Sequence, residues 1–321
     1  MTLGLGVWGG TGMDAAMWLP LAVSALFWPL AAPVGRRLPP ATAVRTLTAA
    51  MVATALATGF VLAAAALLVL GQAPPVAALG EWSATALATG DPVPLALGGL
   101  AAVTVAGLGA AVLRRVVHTV RDLLRSARAC RALGPAVAGL VVVEDDAPEA
   151  FALPGLTGRV VVSTAMLRAL PADERRVLLA HEAAHLRHRH HLYMIVAELA
   201  ASANPLLRPA ARVVGRSVER WADEVAAVEV GDRPLAARAL VRAGLARAAA
   251  QRTAPALALS GVDGDLVDRT RALLTAPAPR RPLLAGLVAA LVVLTGAAVL
   301  VTAHGTEDRF EAAQTVYAAQ P

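Results

Sequence analysis

His181, Glu182 and His185 stand together in the run Leu178-Leu-Ala-His-Glu-Ala-Ala-His185. On a helix, side chains four apart project from one face a turn from each other, so His181 and His185 can offer neutral ring nitrogens to one Zn²⁺ at about 2.0–2.1 Å. Glu182 lies beside them, placed to take a proton from an attacking water without being a ligand. A catalytic zinc has three protein donors and one open position, so a third donor must come from elsewhere in the chain. Glu219 is the candidate, in Ser217-Val-Glu-Arg-Trp-Ala-Asp-Glu224, with Asp223 four residues later on the same face. That pair divides the work: Glu219 coordinates, and Asp223 accepts a hydrogen bond from the outer nitrogen of a ligand histidine and fixes its tautomer. The expectation is one Zn²⁺ per chain. The single cysteine, Cys130, excludes an internal disulfide and a cysteine-based zinc cluster.

The other histidines carry less. His188, His190 and His191 alternate with arginines in Leu186-Arg-His-Arg-His-His191, which reads as a solvated or headgroup-facing basic stretch. His118 reads as an interfacial residue and His304 as an outer cap of the last apolar run. Tyr193 or His188 could stabilise an oxyanion, and the spacing singles out neither.

The elements that position these residues follow from local pattern. Gly139-Leu-Val-Val-Val-Glu144 and Gly158-Arg-Val-Val-Val-Ser163 are β-branched runs bounded by Asp, Pro and Gly, the mark of two short strands of a hairpin or small sheet. From Pro171 the pattern turns helical, with Asp173 and Glu174 in the first turn, where the helix dipole favours anions, and runs to about 203 before a break at Asn204-Pro205. A second helix is expected from about 208 to 230, stopped by Gly231. Two antiparallel helices joined at that break would return Glu219 to the histidines. Further helices are expected over 234–250 and 265–274, then a Pro-rich linker reaches 282.

The chain is 57% apolar with a mean hydropathy of +0.61, far more than a soluble core of 321 residues can bury. Spanning a bilayer takes roughly 20 apolar residues per helix. Four stretches qualify: 15–34, 46–71, 92–113 and 283–303. The first has no preceding positive charge and is followed by Arg36 and Arg37 rather than a cleavage site, so it reads as a span and not a signal peptide. The net charge of +6 comes wholly from arginine. Arginines flank the apolar runs at 36, 37 and 45, from 114 to 131, and at 280 and 281, while the 72–91 loop carries only Glu81 and Asp91. By the positive-inside rule this puts both termini outside and the large segment in the cytoplasm. With no recognition motif or basic stripe, nucleic acid binding is not expected. The organisation is then a membrane domain over 1–113, a cytoplasmic domain over 114–282, a fourth span over 283–303 and an outer tail over 304–321.

Several marks between about 141 and 274 occur together: Phe151-Ala-Leu-Pro-Gly155, Val160-Val-Val-Ser-Thr164, Leu170-Pro-Ala-Asp-Glu174 leading into the histidine run, Asn204-Pro205, and Glu219-Arg-Trp-Ala-Asp223. On these residues the chain resembles the membrane zinc peptidases of the BlaR/MecR type, and more distantly the HtpX-like and CAAX-prenyl-protease group. The resemblance implies a mainly α integral membrane protein with about four transmembrane helices and a cytoplasmic α+β gluzincin-like zinc peptidase domain with a small sheet. It implies His181, His185 and Glu219 as ligands, Glu182 as base and Asp223 behind them. It also implies that Val160, Val161, Val162 and Ser163 form the edge strand against which an extended substrate pairs. The sensor members carry a large extracellular penicillin-binding domain after the last span. Only 304–321 follows it here, so direct antibiotic sensing is not expected. The expected activity is metalloendopeptidase cleavage of a cytoplasmic regulatory protein such as a transcription repressor, with a separate sensor as a possible partner. The alternatives are a quality-control protease for membrane proteins and a catalytically silent, zinc-braced transducer.

Overall fold

The computed structural model describes residues 9–89, 93–133, 136–154, 158–251 and 262–320. Asp91, residue 92 at the start of the third expected span, and Gly155 of the Phe151 run lie outside these. The helices are α1 (Gly9–Arg37), α2 (Pro40–Leu70), α3 (Pro74–Gly80), α4 (Ala84–Thr89), α5 (Leu95–Ala132), α6 (Thr164–Ala169), α7 (Ala172–Arg187), α8 (His190–Ala203), α9 (Arg208–Val230), α10 (Arg233–Gln251), α11 (Val262–Leu274) and α12 (Pro282–Ala318). Strands β1 (Leu140–Val143), β2 (Ala150–Leu153) and β3 (Arg159–Ser163) lie between α5 and α6, and a 3₁₀ turn, Pro205–Leu207, joins α8 to α9.

Four helices, α1, α2, α5 and α12, are long and apolar enough to cross a membrane, which makes this a membrane protein by length and composition. Over half of α2's apolar stretch is buried (56%), against 11% in α5 and in α12, so α2 is the central helix and the other two leave most of their apolar surface facing outward. The structure differs from expectation in three places here. The 72–91 loop contains α3 and α4. The third span and the basic helix after it are one continuous α5, so the boundary expected at 113/114 falls inside a helix. The fourth span likewise continues as helix to Ala318.

The two expected strands pair, but in parallel: β1 lies beside β3 with Leu140 opposite Val160. A parallel pair cannot close as a hairpin, and the chain between them supplies β2, antiparallel to β3 with Phe151 opposite Val161. The strand order is β1-β3-β2. Val160 to Ser163 is therefore the central strand and not an edge. Its buried Val161 and Val162 fit that place, since a strand covered on both faces and paired on both sides reads as a continuous apolar run.

The helix expected over about 172–203 is broken. Arg189 takes a left-handed backbone (φ +52°) between α7 and α8, and the chain turns there so that His190 comes in behind His185. The break at Asn204 is as expected, and α9 stops at Gly231 in the left-handed region (φ +72°).

The α8–α9 hairpin packs directly on the spans. Val23 and Phe27 of α1, Leu47 and Met51 of α2, and Ala197, Leu207, Val214 and Trp221 of the hairpin share one buried core. At the hairpin tip the buried Asn204 Nδ2 donates to Ser24 Oγ (2.7 Å) and Thr58 Oγ1 (3.3 Å), and Ser24 Oγ donates onward to the Pro20 carbonyl (2.7 Å). Three buried polar side chains thus satisfy one another where apolar surroundings offer nothing else. Gly35 marks the closest approach of α1 to α9: a Cβ there would meet Val213 Cγ1 at 2.3 Å.

Candidate metal centre and substrate cleft

α7 begins at the Pro171 cap with Asp173 and Glu174 in its first turn. Val177 and Ala180 are buried against α9 and α10, and Leu178 against the sheet. With that face fixed, His181 and His185 project on the side of α9. Their Nε2 atoms are 3.2 Å apart. The Glu219 oxygens lie 3.7 Å from each, Oε2 from His181 and Oε1 from His185. Donors at 2.0–2.1 Å from a tetrahedral zinc are about 3.4 Å from one another. The three groups therefore fit a single zinc ion with little adjustment.

Each imidazole is held from behind. His181 Nδ1 lies 3.0 Å from Asp223 Oδ1, and His185 Nδ1 lies 3.2 Å from His190 Nδ1. Both rings thus present Nε2 to the same point, the usual consequence of a partner on the outer nitrogen. Asp223 is itself gripped by Arg269 of α11, whose Nε and Nη2 reach its two oxygens at 2.7 and 2.8 Å. Arg269 Nη1 also lies 3.0 Å from Glu219 Oε2. One guanidinium thereby fixes both acidic residues of α9.

Burial disfavours charge on His181, but the hydrogen bonds to Asp223 and Glu219 outweigh it and raise its pKa to about 10 in the metal-free protein. His185 is lowered to about 4 by burial and by the charge on His181. Burial would raise Glu219, yet its hydrogen bond to His181 and the charge of Arg269 hold it at about 2. Glu182, only 6% exposed, is shifted upward by burial, with His181 and Arg247 pulling the other way. Its carboxyl also takes a hydrogen bond from the Ala152 amide of β2.

These groups line a cleft of about 550 Å³ between α7, α9, α10 and β2. The backbone of β2 alternates: the Ser163 amide donates to the Glu149 carbonyl, so the odd-numbered residues of this segment serve β3 and Ala150 and Ala152 face away from it. Ala150, Phe151 and Ala152 are on the cleft wall. The exposed edge at the site is thus β2, not Val160 to Ser163.

All five expected metal-site residues, His181, Glu182, His185, Glu219 and Asp223, meet in this cleft. Three of its residues escaped the sequence. His190 is 1% exposed and not solvated, which corrects the reading of the 186–191 run. The alternation there is an inside–outside one: Arg187 and Arg189 are exposed, while His188 stacks on Trp221 (4.8 Å) and His190 packs on the same ring (4.7 Å). Its signal was present as a histidine five residues after His185, at an offset a straight helix would have turned away. Arg269 and Arg247 come from helices far along the chain, and nothing in their spacing marks them. Neither His188 nor Tyr193 is among the described residues lining the cleft.

Residues 114–206 match peptidase family M48. The match takes in His181, Glu182 and His185 and ends before Glu219. No curated protein and no solved structure matches the chain. The family match and the donor set together support a metallopeptidase, which implies a protein or peptide substrate, and the four long apolar helices imply a lipid bilayer as partner.

Proposed function

We propose that the chain is a membrane-bound zinc metalloendopeptidase with His181, His185 and Glu219 as ligands, Glu182 as general base and Asp223 as the positioning partner of His181. The observation that carries this is the convergence of three donors on one point, with a buried carboxylate beside them and an unpaired strand edge opposite.

When bound, zinc supplies Lewis acidity towards a peptide carbonyl and lowers the pKa of a water towards about 7. The chain's own groups do the rest. An extended peptide pairs antiparallel to β2 through the outward amide and carbonyl of Ala150 and the carbonyl of Ala152, the Ala152 amide being held by Glu182, and this holds its scissile carbonyl over the site. Glu182, raised by burial, accepts the proton of the attacking water and returns it to the leaving amine. A silent transducer has no use for such a base, and a zinc that only braced the fold would be closed by a fourth protein donor.

The arginine distribution supports a cytoplasmic catalytic face. The likeness to BlaR/MecR-type peptidases favours a cytoplasmic regulatory protein, such as a repressor, as substrate. One observation favours a second reading, membrane-protein quality control: Arg45 at the start of α2 lies 5.0 Å over the Trp221 ring, two residues from Glu219, so the helix that carries the third donor packs on one of the long apolar helices.

Glu182→Gln tests the base. The purified variant is expected to keep one zinc per chain and to lose at least about 10²-fold in cleavage rate, the lower end of what a positioned base contributes. Cleavage at the wild-type rate would reject the assignment.

A further inference from the structure

Arg247 of α10 lines the cleft, and its Nη2 lies 3.4 Å from the Ala150 carbonyl of β2. The helix that carries it is anchored there: Ala243, one turn earlier, is buried with Ala150, Val162 and Leu178 under the sheet. The other cationic side chain of the cleft, Arg269, is committed to Asp223 and Glu219. Elsewhere on these helices Arg233 is paired with Glu224 and Arg242 with Glu174. Among the described residues Arg247 has no such ion pair; it hydrogen-bonds a neutral carbonyl, and its charge is felt by Glu182.

That carbonyl is one an incoming strand would claim. A peptide paired with β2 takes the Ala150 oxygen for its own amide and releases the guanidinium into the cleft beside the peptide. A guanidinium without a carboxylate partner keeps its forked donors free to offer, and a planar carboxylate is the group that meets them with two parallel hydrogen bonds. With a divalent ion in place, the cations of the cleft outweigh Glu182, Glu219 and Asp223, so a substrate carboxylate enters a positive field.

We propose that Arg247 is a carboxylate-receiving subsite of the cleft, which selects peptides bearing an acidic side chain or a free C-terminal carboxylate beside the residues paired with β2. This rests on the cleft being a peptide-binding site, and its two sources of carboxylate are separable by experiment.

The test uses full-length, zinc-loaded Glu182→Gln protein in detergent, so that binding is read without turnover. The ligands are dye-labelled peptides of one apolar sequence: neutral and amidated, amidated with one Glu walked along it, neutral with a free C-terminus, and amidated with one Lys walked along it. A charge-assisted pair corresponds to about tenfold to a hundredfold in affinity. The expected result is tighter binding by that factor for a Glu at a defined position, the acidic side-chain source, or for the free C-terminus, the terminal source. Arg247→Lys should keep the charge and so a reduced preference, Arg247→Ala should flatten it to within about twofold, and Arg247→Glu should transfer it to the Lys peptide. Equal binding of all peptides, no binding of any, or a preference unchanged in Arg247→Ala overturns the proposal. Cleavage by the Glu182 protein is scored separately: acid-selective binding without cleavage sinks the peptidase reading alone, and cleavage without acid preference sinks the subsite alone.

Discussion

Asp223→Asn keeps the shape of the side chain and removes its charge. In the native site the carboxylate accepts from His181 Nδ1 at 3.0 Å and from Arg269 at 2.7 and 2.8 Å. An amide has a single acceptor oxygen, so it cannot serve the imidazole and both guanidinium nitrogens at once. Losing the outer partner of a ligand histidine typically lowers metal affinity by about 10- to 100-fold, or roughly 1.4–2.7 kcal/mol. A second cost falls on the fold. Breaking a buried ion pair by removing one partner costs about 3–5 kcal/mol, and here the loss should be below that range because Arg269 keeps Glu219 at 3.0 Å. The assay is competition for zinc against a fluorescent chelator at neutral pH, with a thermal melt of the metal-free protein alongside. The reasoning requires weaker zinc binding, with the metal-free melting point lowered by less than the loss of a whole buried pair implies. Zinc held as tightly as in the wild type would show that Asp223 does not position His181.

Four further outcomes are expected. His190→Phe keeps the ring packed on Trp221 but removes the partner of His185 Nδ1, and should weaken zinc by about tenfold in the same competition. Zinc binding near pH 7 should release about one proton: His181, raised to about 10, must lose one, while His185 at about 4 is already neutral and Glu219 at about 2 already ionised. Calorimetry in buffers of different ionisation enthalpy reads that number, and zero would contradict it. The same raised value gives the metal-free fold a stabilisation that is complete below about pH 6.5 and is lost as the pH rises through about 10. Asn204→Ala removes the hydrogen bonds to Ser24 and Thr58 and should cost about 1–3 kcal/mol in detergent unfolding, non-additively with Ser24→Ala. Additive effects would mean the polar cluster does not act as a unit.

The parts of this site visible in the sequence were those written in local periodicity. His181, Glu182 and His185 declare themselves because a 3.6-residue turn makes a spacing of four a shared face, and Glu219 with Asp223 repeats that spacing on the next helix. The spans were visible because apolar length and arginine flanks are properties of contiguous residues. β2 was not, since Ala150-Phe-Ala-Leu153 is half alanine, a residue depleted in strands; the edge role of β3 was implied by the family resemblance alone, and β2 pairs on the side that role needs open. Arg269 and Arg247 were invisible for a different reason. They reach the cleft from α11 and α10, and what places them there is the packing of those helices on α9 and the sheet, which no spacing records. His190 fell between: its type was suggestive, but its direction depends on the left-handed turn at Arg189, where no glycine advertises the break.

The metal site is also a seam between two supports, and α9 shows why. Glu219 and Asp223 lie on one face of α9 towards the imidazoles, while Trp221 between them is turned by about 200°. It is 6% exposed, lies in the core shared with α1 and α2, and has Arg45 above its ring. The imidazoles stand instead on α7, which rests on α9, α10 and β2. The two imidazoles therefore take their position from α9 as well as from α10 and β2, while α9 itself also packs on α1 and α2, two of the four long apolar helices. Arg269 is the side chain that ties the α9 acids to α11.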